Sequence, residues 1–297
     1  MEINSDFVGT ALKPYQATVQ WRDTMNYAAA VKDDNPRYFD DECPEGIIGP
    51  PMFAVAATWP IIENLPEFIE SEDFPQELLL TLVHYTEHIQ FHRPFTPGQE
   101  LTIRGRVAAV LPHRAGTRIV TCFEARDQHG QPVFTEHNGG MLRGVQTKDG
   151  PRGAEALPLV PDRQPQDVLR WEQSIPIDPL LPFIYDGCTN IVFPIHTSKK
   201  IAHQVGLPGI ILQGTATLAL AVGEIVRREA DSNPRNLKEI HCRFTGMVQP
   251  GSDIRLQAYG SKADDQAGHL FFDVINAQGE KAISHGYALL DVSDDVT

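Results

Sequence analysis

Cysteine is sparse in this chain. Four stand among 297 residues, and no two form a CxxC pair. Cys43, Cys122, Cys188 and Cys242 are spaced too widely for a zinc knuckle or a compact disulfide framework, so reduced thiols and a cytoplasmic setting are expected. No apolar run reaches membrane-spanning length. The opening MEINSDFVGTALKPYQ lacks a basic stretch followed by an apolar one, so no signal peptide is expected. Positive charge is also short: 25 Lys and Arg face 39 Asp and Glu, a formal net charge of −14. That balance argues against a nucleic-acid or anionic-membrane surface. P-loop, dinucleotide-glycine and HExxH patterns are missing, so neither cofactor nor metal is implied.

What is present is a soluble-type composition, with 41% hydrophobic and 22% charged residues. It is arranged as a repeat. Residues 90–101, QFHRPFTPGQEL, echo residues 243–254, RFTGMVQPGSDI. Phe91, Pro97 and Gly98 align with Phe244, Pro250 and Gly251 at one offset. In each copy a Pro-Gly turn leads into an alternating strand, LTIRGRV or IRLQAYG. Upstream, YAAAVKDDNPRYFD echoes YDGCTNIVFPIHT, matching Tyr27 with Tyr185 and Pro36 with Pro194. Each half then reaches an apolar helix-like run, GPPMFAVAATWPII or GIILQGTATLALAVGEIV. Residues 147–166, rich in Pro, Gly and charge, read as a linker between halves 1–146 and 167–297. The order within each half reads helix, turn, helix, then antiparallel strands. The fold class is α+β.

Chemistry concentrates between Tyr185 and Leu220. His196 follows a Pro-Ile pair, and an imidazole moves protons near neutral pH. Gly214 stands at the expected start of a long helix, where a backbone N–H meets a developing oxyanion. Thr215 is a candidate cap or second donor, and Gln213 precedes the glycine. Asp186 and Asn190 are the nearby groups for taking a proton or orienting water, although an amide cannot act as a base. Cys188 reads as a buried thiol. His84, His88 and His92 are evenly spaced, but FHRPFTPG reads as a strand, which spoils a shared helical face for metal.

The Tyr185–Leu220 stretch resembles the signature region of the MaoC-like dehydratases, or (R)-specific enoyl-CoA hydratases. Their pattern runs Ser-Gly-Asp-x-Asn-Pro-x-His, then a helix, then Leu-His-Gly. Pro194, His196 and Gly214 match; Ile191 holds the aspartate position, Phe193 the asparagine position and Gln213 the second histidine position. The resemblance implies a double hotdog, two curved antiparallel sheets each wrapping a central helix. It implies reversible hydration of an enoyl-thioester, an acyl-CoA-type small-molecule substrate and a homodimer. His196 becomes the general acid–base and Gly214 the oxyanion donor, with Asn190 and Asp186 as auxiliary catalytic candidates. Thr215, Gln213, Phe193, Phe53 and Trp59 are the expected substrate contacts. The first half keeps Asp33, Asn35 and Pro36 but has Tyr38 for the histidine and Val55 or a neighbour for the glycine. It is expected to line the pocket rather than react, with Asp33 or Asp186 standing in for the missing aspartate. A thioester-binding protein without hydratase activity, or a thioesterase, remains the alternative.

Overall fold

The computed structural model describes residues 1–260 and 268–291. In the first half, β1 (Glu2–Ile3), β2 (Ala11–Thr18), α1 (Trp21–Ala30), α2 (Phe53–Glu63) and α3 (Leu65–Phe68) precede a run of strands. These are β3 (Leu82–Phe91), β4 (Glu100–His113), β5 (Gly116–Asp127), β6 (Pro132–Arg143) and β7 (Gln146–Thr147). The second half has β8 (Val168–Pro176), α4 (Leu181–Thr189), α5 (Lys199–Gln204), α6 (Gly214–Glu229), β9 (Leu237–Phe244), β10 (Asp253–Gly260), β11 (His269–Ile275) and β12 (Lys281–Leu290). One sheet joins both halves in the order β2-β4-β5-β6-β3-β9-β12-β11-β10-β8. This is the double hotdog, and every pairing in that sheet is antiparallel.

The two halves meet at β3 and β9. His88 pairs there with His241, its own counterpart in the repeat, so the internal two-fold axis passes between them. Tyr27 and Tyr185, the other aligned pair, share a 2.9 Å hydrogen bond between their hydroxyls. Each position of the repeat that meets itself therefore marks the same axis. The apolar helices α2 and α6 belong to one continuous core spanning both halves. Buried residues crowd the first turns of α6, Thr215 to Ala219, as expected for a helix enclosed by a curved sheet.

Two expectations are corrected. Each half opens with a strand, β2 or β8, at an outer edge of the sheet, rather than with a helix. Strand β8 is largely exposed, so its sequence carries little apolar alternation. The expected strand over FHRPFTPG lies instead upstream, in β3, because Pro94 and Pro97 lack the N–H a central strand must donate. A register shift in β3 between His84 and Thr86 divides the histidines. His88 contacts His137, His241 and Glu239, whereas His84 contacts Glu87, Asn138 and Phe244.

Beneath α2 the sheet buries two carboxyls, Glu87 and Glu136, both fully enclosed. Thr58 of α2 donates to Glu136 Oε2 (2.8 Å), and Asn138 Nδ2 donates to Glu87 Oε2 (3.3 Å). The Oε1 atom of each carboxyl has no partner among the described residues, and one proton held between the two groups would satisfy both. Burial pushes Glu87 up to about 8, and burial with the neighbouring Glu87 charge raises Glu136 well above the usual carboxylate range. Unfolding releases that proton at ordinary carboxylate pH. The pair's contribution to stability is therefore fully present below the ordinary carboxylate range and falls as pH rises toward about 8. Urea unfolding between about pH 6 and about pH 9 should show this loss, and Glu136→Gln should flatten it. An unchanged slope in Glu136→Gln would place the proton elsewhere.

Candidate functional site

Each half sends its motif loop over the other half's helix. In the first half, Asn35 Nδ2 donates to Ser232 O, just beyond α6 (2.8 Å), and Asp33 lies against Gly223 of α6. In the second half, the Phe193 ring meets Trp59 of α2 edge-on at 6.5 Å. Cavities lie under both overhangs. One of about 360 Å³ is bounded by Cys188, Thr189 and Asn190 and by Phe53, Ala56, Ala57 and Pro60 of α2. Another of about 150 Å³ lies between Asp33 and α6.

His196 ends a short 3-10 turn, Pro194–His196. Its Nδ1 lies 2.8 Å from the carbonyl of Ile211. A carbonyl only accepts, so Nδ1 carries the proton and Nε2 keeps a free lone pair. Burial lowers His196 to about 4, which leaves the ring neutral at physiological pH. The Ile211 contact also ties the histidine loop to the segment entering α6, three residues before Gly214.

Gly214 is the first residue of α6, with a partly exposed backbone and an N–H that no helical carbonyl can accept. Its missing side chain makes room for Phe244: a Cβ would lie 2.9 Å from Phe244 Cδ1. The Phe244 ring also meets His84, at 4.7 Å between centroids. Thr215 is not the cap; Gln213 holds that position, without a capping side-chain bond. Thr215 Oγ1 instead accepts from the Tyr185 hydroxyl (3.2 Å), inside the core. Gln213 is buried, its Nε2 donating to Pro182 O (3.0 Å) and its Oε1 without a partner among the described residues.

The remaining candidates separate. Phe193 and Trp59 join His196 in a row of rings, Phe193 lying 6.1 Å from the imidazole. Trp59 Nε1 is enclosed and unpartnered there among the described residues. Phe53 sits in the core against Tyr27 and Phe95, at 6.2 and 5.4 Å. Asn190 terminates α4 in a left-handed conformation (φ 57°), its N–H donating to Asp186 O. That is a helix-ending role for which asparagine is well suited. No hydrogen bond or ion pair joins Asp186 to His196, although burial raises its carboxyl. Asp33 does not reach the histidine side either. Gly223 is nine residues along α6 from Gly214, about 13 Å at the helical rise. Ile191, at the motif aspartate's place, is buried in the core. Phe244 and the Glu87–Glu136 pair were not among the sequence candidates. The in-facing alternation of Glu87 with Ile89 and Phe91 was their one available signal.

Comparison with known proteins fits this geometry. Residues 162–269 match the MaoC like domain, and residues 6–136 match the FAS1-like dehydratase domain region. Each half thus matches a dehydratase-type domain, the second half a MaoC like domain and the first a FAS1-like dehydratase region. Among similar proteins, the peroxisomal multifunctional enzyme type 2 of Drosophila melanogaster is 25% identical over 71% of this chain. The match spans only 35% of the fly protein. A Dictyostelium discoideum protein named "Probable enoyl-CoA hydratase 2" is 24% identical over 78% of this chain and 76% of its own. The fold is shared with a MaoC-like dehydratase from Phytophthora capsici: TM-score 0.80, 21% identity, 96% of this chain and 97% of that one. Among the described residues no helix is long and apolar enough to cross a membrane.

The Gly214–Phe244 contact gives a test. A glycine-to-alanine change in a helix is ordinarily neutral or stabilising. Here the added methyl collides with a ring already packed against His84, so Gly214→Ala should destabilise by about 1–3 kcal/mol. Gly214→Ala with Phe244→Leu should recover part of that loss in chemical denaturation. A stabilised single variant would show that Phe244 yields freely.

Proposed function

We propose that the chain catalyses reversible hydration of a trans-2-enoyl-thioester, most simply a CoA ester, at the His196–Gly214 site. The observation that carries this reading is the Nδ1–Ile211 bond of His196, which leaves Nε2 as a free base in a loop tied three residues ahead of a helix-start N–H. The MaoC like domain match in the second half and the names of the relatives support the reaction class.

The steps balance with one residue moving the proton. His196 Nε2 takes a proton from water as the oxygen bonds to C3 of the enoyl group. The C2=C3 π electrons move onto the thioester oxygen, where the Gly214 N–H and the positive end of α6 stabilise the enolate. The imidazolium then returns its proton to C2. A single histidine serving both steps needs no aspartate, which is how the buried Ile191 is accommodated. Trp59 and Phe193 form the apolar wall beside the imidazole.

Loss of the 2-enoyl absorbance of crotonyl-CoA measures the reaction. His196→Ala should lower kcat by about 10²–10⁴-fold. Because His196 acts as a base and burial holds it at about 4, kcat/KM should persist as pH falls through 6.5 and decline only toward about 4. Thioester binding to wild type without turnover would instead make this a binding protein, the outcome the buried Ile191 favours. An acid limb near 6.5 would show that His196 is not held neutral by its surroundings.

A further inference from the structure

The smaller cavity sits where the repeat places a counterpart of the one on α2. Its walls are Val31, Ile175, Leu181, Ala219 and Leu220. Gly223 leaves its floor open, since a Cβ there would stand 3.0 Å from Asp33 Oδ2. Asp33 is the motif aspartate that the second half has lost, and it is half-buried here. Its Oδ1 accepts from the Asn35 N–H (3.3 Å), while Oδ2, over α6, has no hydrogen bond among the described residues. The two cations at the mouth are engaged elsewhere: Lys32 with Asp178 (3.6 Å), and Arg227 with Asp34 (3.2 Å) and Glu224. Asp33 therefore faces the apolar walls with no hydrogen bond or ion pair to either cation; burial raises its carboxyl, and the charge of Arg227 opposes that only in part. The histidine of a reacting site is also absent. Tyr38 takes its place and is buried against Ala28 and Ile48.

We propose that this cavity is a second, non-catalytic binding site for a short aliphatic chain carrying a hydroxyl, the shape of a small 3-hydroxyacyl group, with Asp33 Oδ2 accepting its O–H. The choice of an acyl-thioester ligand rests on the hydration reading above. A carboxylate is acceptor-only, so it selects a donor. The walls select an aliphatic body, and a cavity of about 150 Å³ holds a molecule of roughly benzene size. Lys32 and Arg227 are both substantially exposed at the mouth, where they are able to exchange their carboxylate partners for the phosphates of a carrier. No histidine lines the cavity, and its other ionisable residues Lys32, Asp178, Glu224 and Arg227 are engaged in ion pairs, so the site holds its ligand without converting it.

Isothermal titration of the full chain with (R)-3-hydroxybutyryl-CoA tests this. Wild type should bind at two sites. Gly223→Val, which closes the floor, and Asp33→Leu, which removes the acceptor, should each abolish the second site or weaken it by at least about tenfold. Saturated turnover of crotonyl-CoA should be unchanged in Gly223→Val. Far-UV circular dichroism confirms that each variant is folded, and either one alone suffices. A single site in wild type, or two undiminished sites in a folded variant, overturns the proposal. The two readings fail separately. Hydration with one site removes only this cavity, whereas two sites without hydration remove only the chemistry.

Discussion

The pairing of β3 with β9 is the contact on which the rest of the molecule depends. It turns two half-sheets into one, and it sets His88 directly against its counterpart His241. With that register fixed, Tyr27 and Tyr185 meet hydroxyl to hydroxyl, and Tyr185 reaches on to Thr215 at the start of α6. The same pairing brings Phe244, at the end of β9, beside His84 of β3 and against Gly214. A slip of one residue would turn every inward side chain of the seam outward. The helix start that forms the candidate oxyanion site is thus positioned by strands from both halves.

Around this axis the halves have diverged in complementary ways. The second loop keeps the histidine and loses the aspartate to a buried isoleucine; the first keeps the aspartate and replaces the histidine with a buried tyrosine. The retained aspartate lies at Gly223, nine residues along α6 from Gly214, whereas the retained histidine bonds Ile211 at the entry to α6 and its loop reaches α2 through Phe193. The lengths of α2 and α6 differ as well, 11 residues against 16, and α2 contains Pro60. The larger cavity lies on the shorter helix, next to the His196 loop.

Much of this was legible in the sequence because the repeat left its marks at turns. Pro-Gly pairs, with Gly98 and Gly251 at φ of 83° and 80°, fixed the offset from which two copies of one plan follow. His196 and Gly214 were legible as a pair, since a 3-10 turn and a helix start are both locally encoded. The edge strands were not, because β8 faces solvent along most of its length. Thr215 looked like a cap, but a tertiary bond from Tyr185 claimed its hydroxyl. Asn190 looked like a water-positioning group, but α4 uses it as a left-handed stop. Asp33 as a stand-in for the missing aspartate failed for a reason no local pattern carries: the overhang of one half on the other.

A crystal structure with a bound, non-reacting thioester analogue is the most direct test of where the chemistry resides. The account predicts the thioester oxygen within about 2.7–3.1 Å of the Gly214 N–H, with His196 Nε2 facing the C2–C3 bond and Trp59 and Phe193 along the chain. A thioester carbonyl seated instead at the start of α2, beside Val55 and Tyr38, would contradict it.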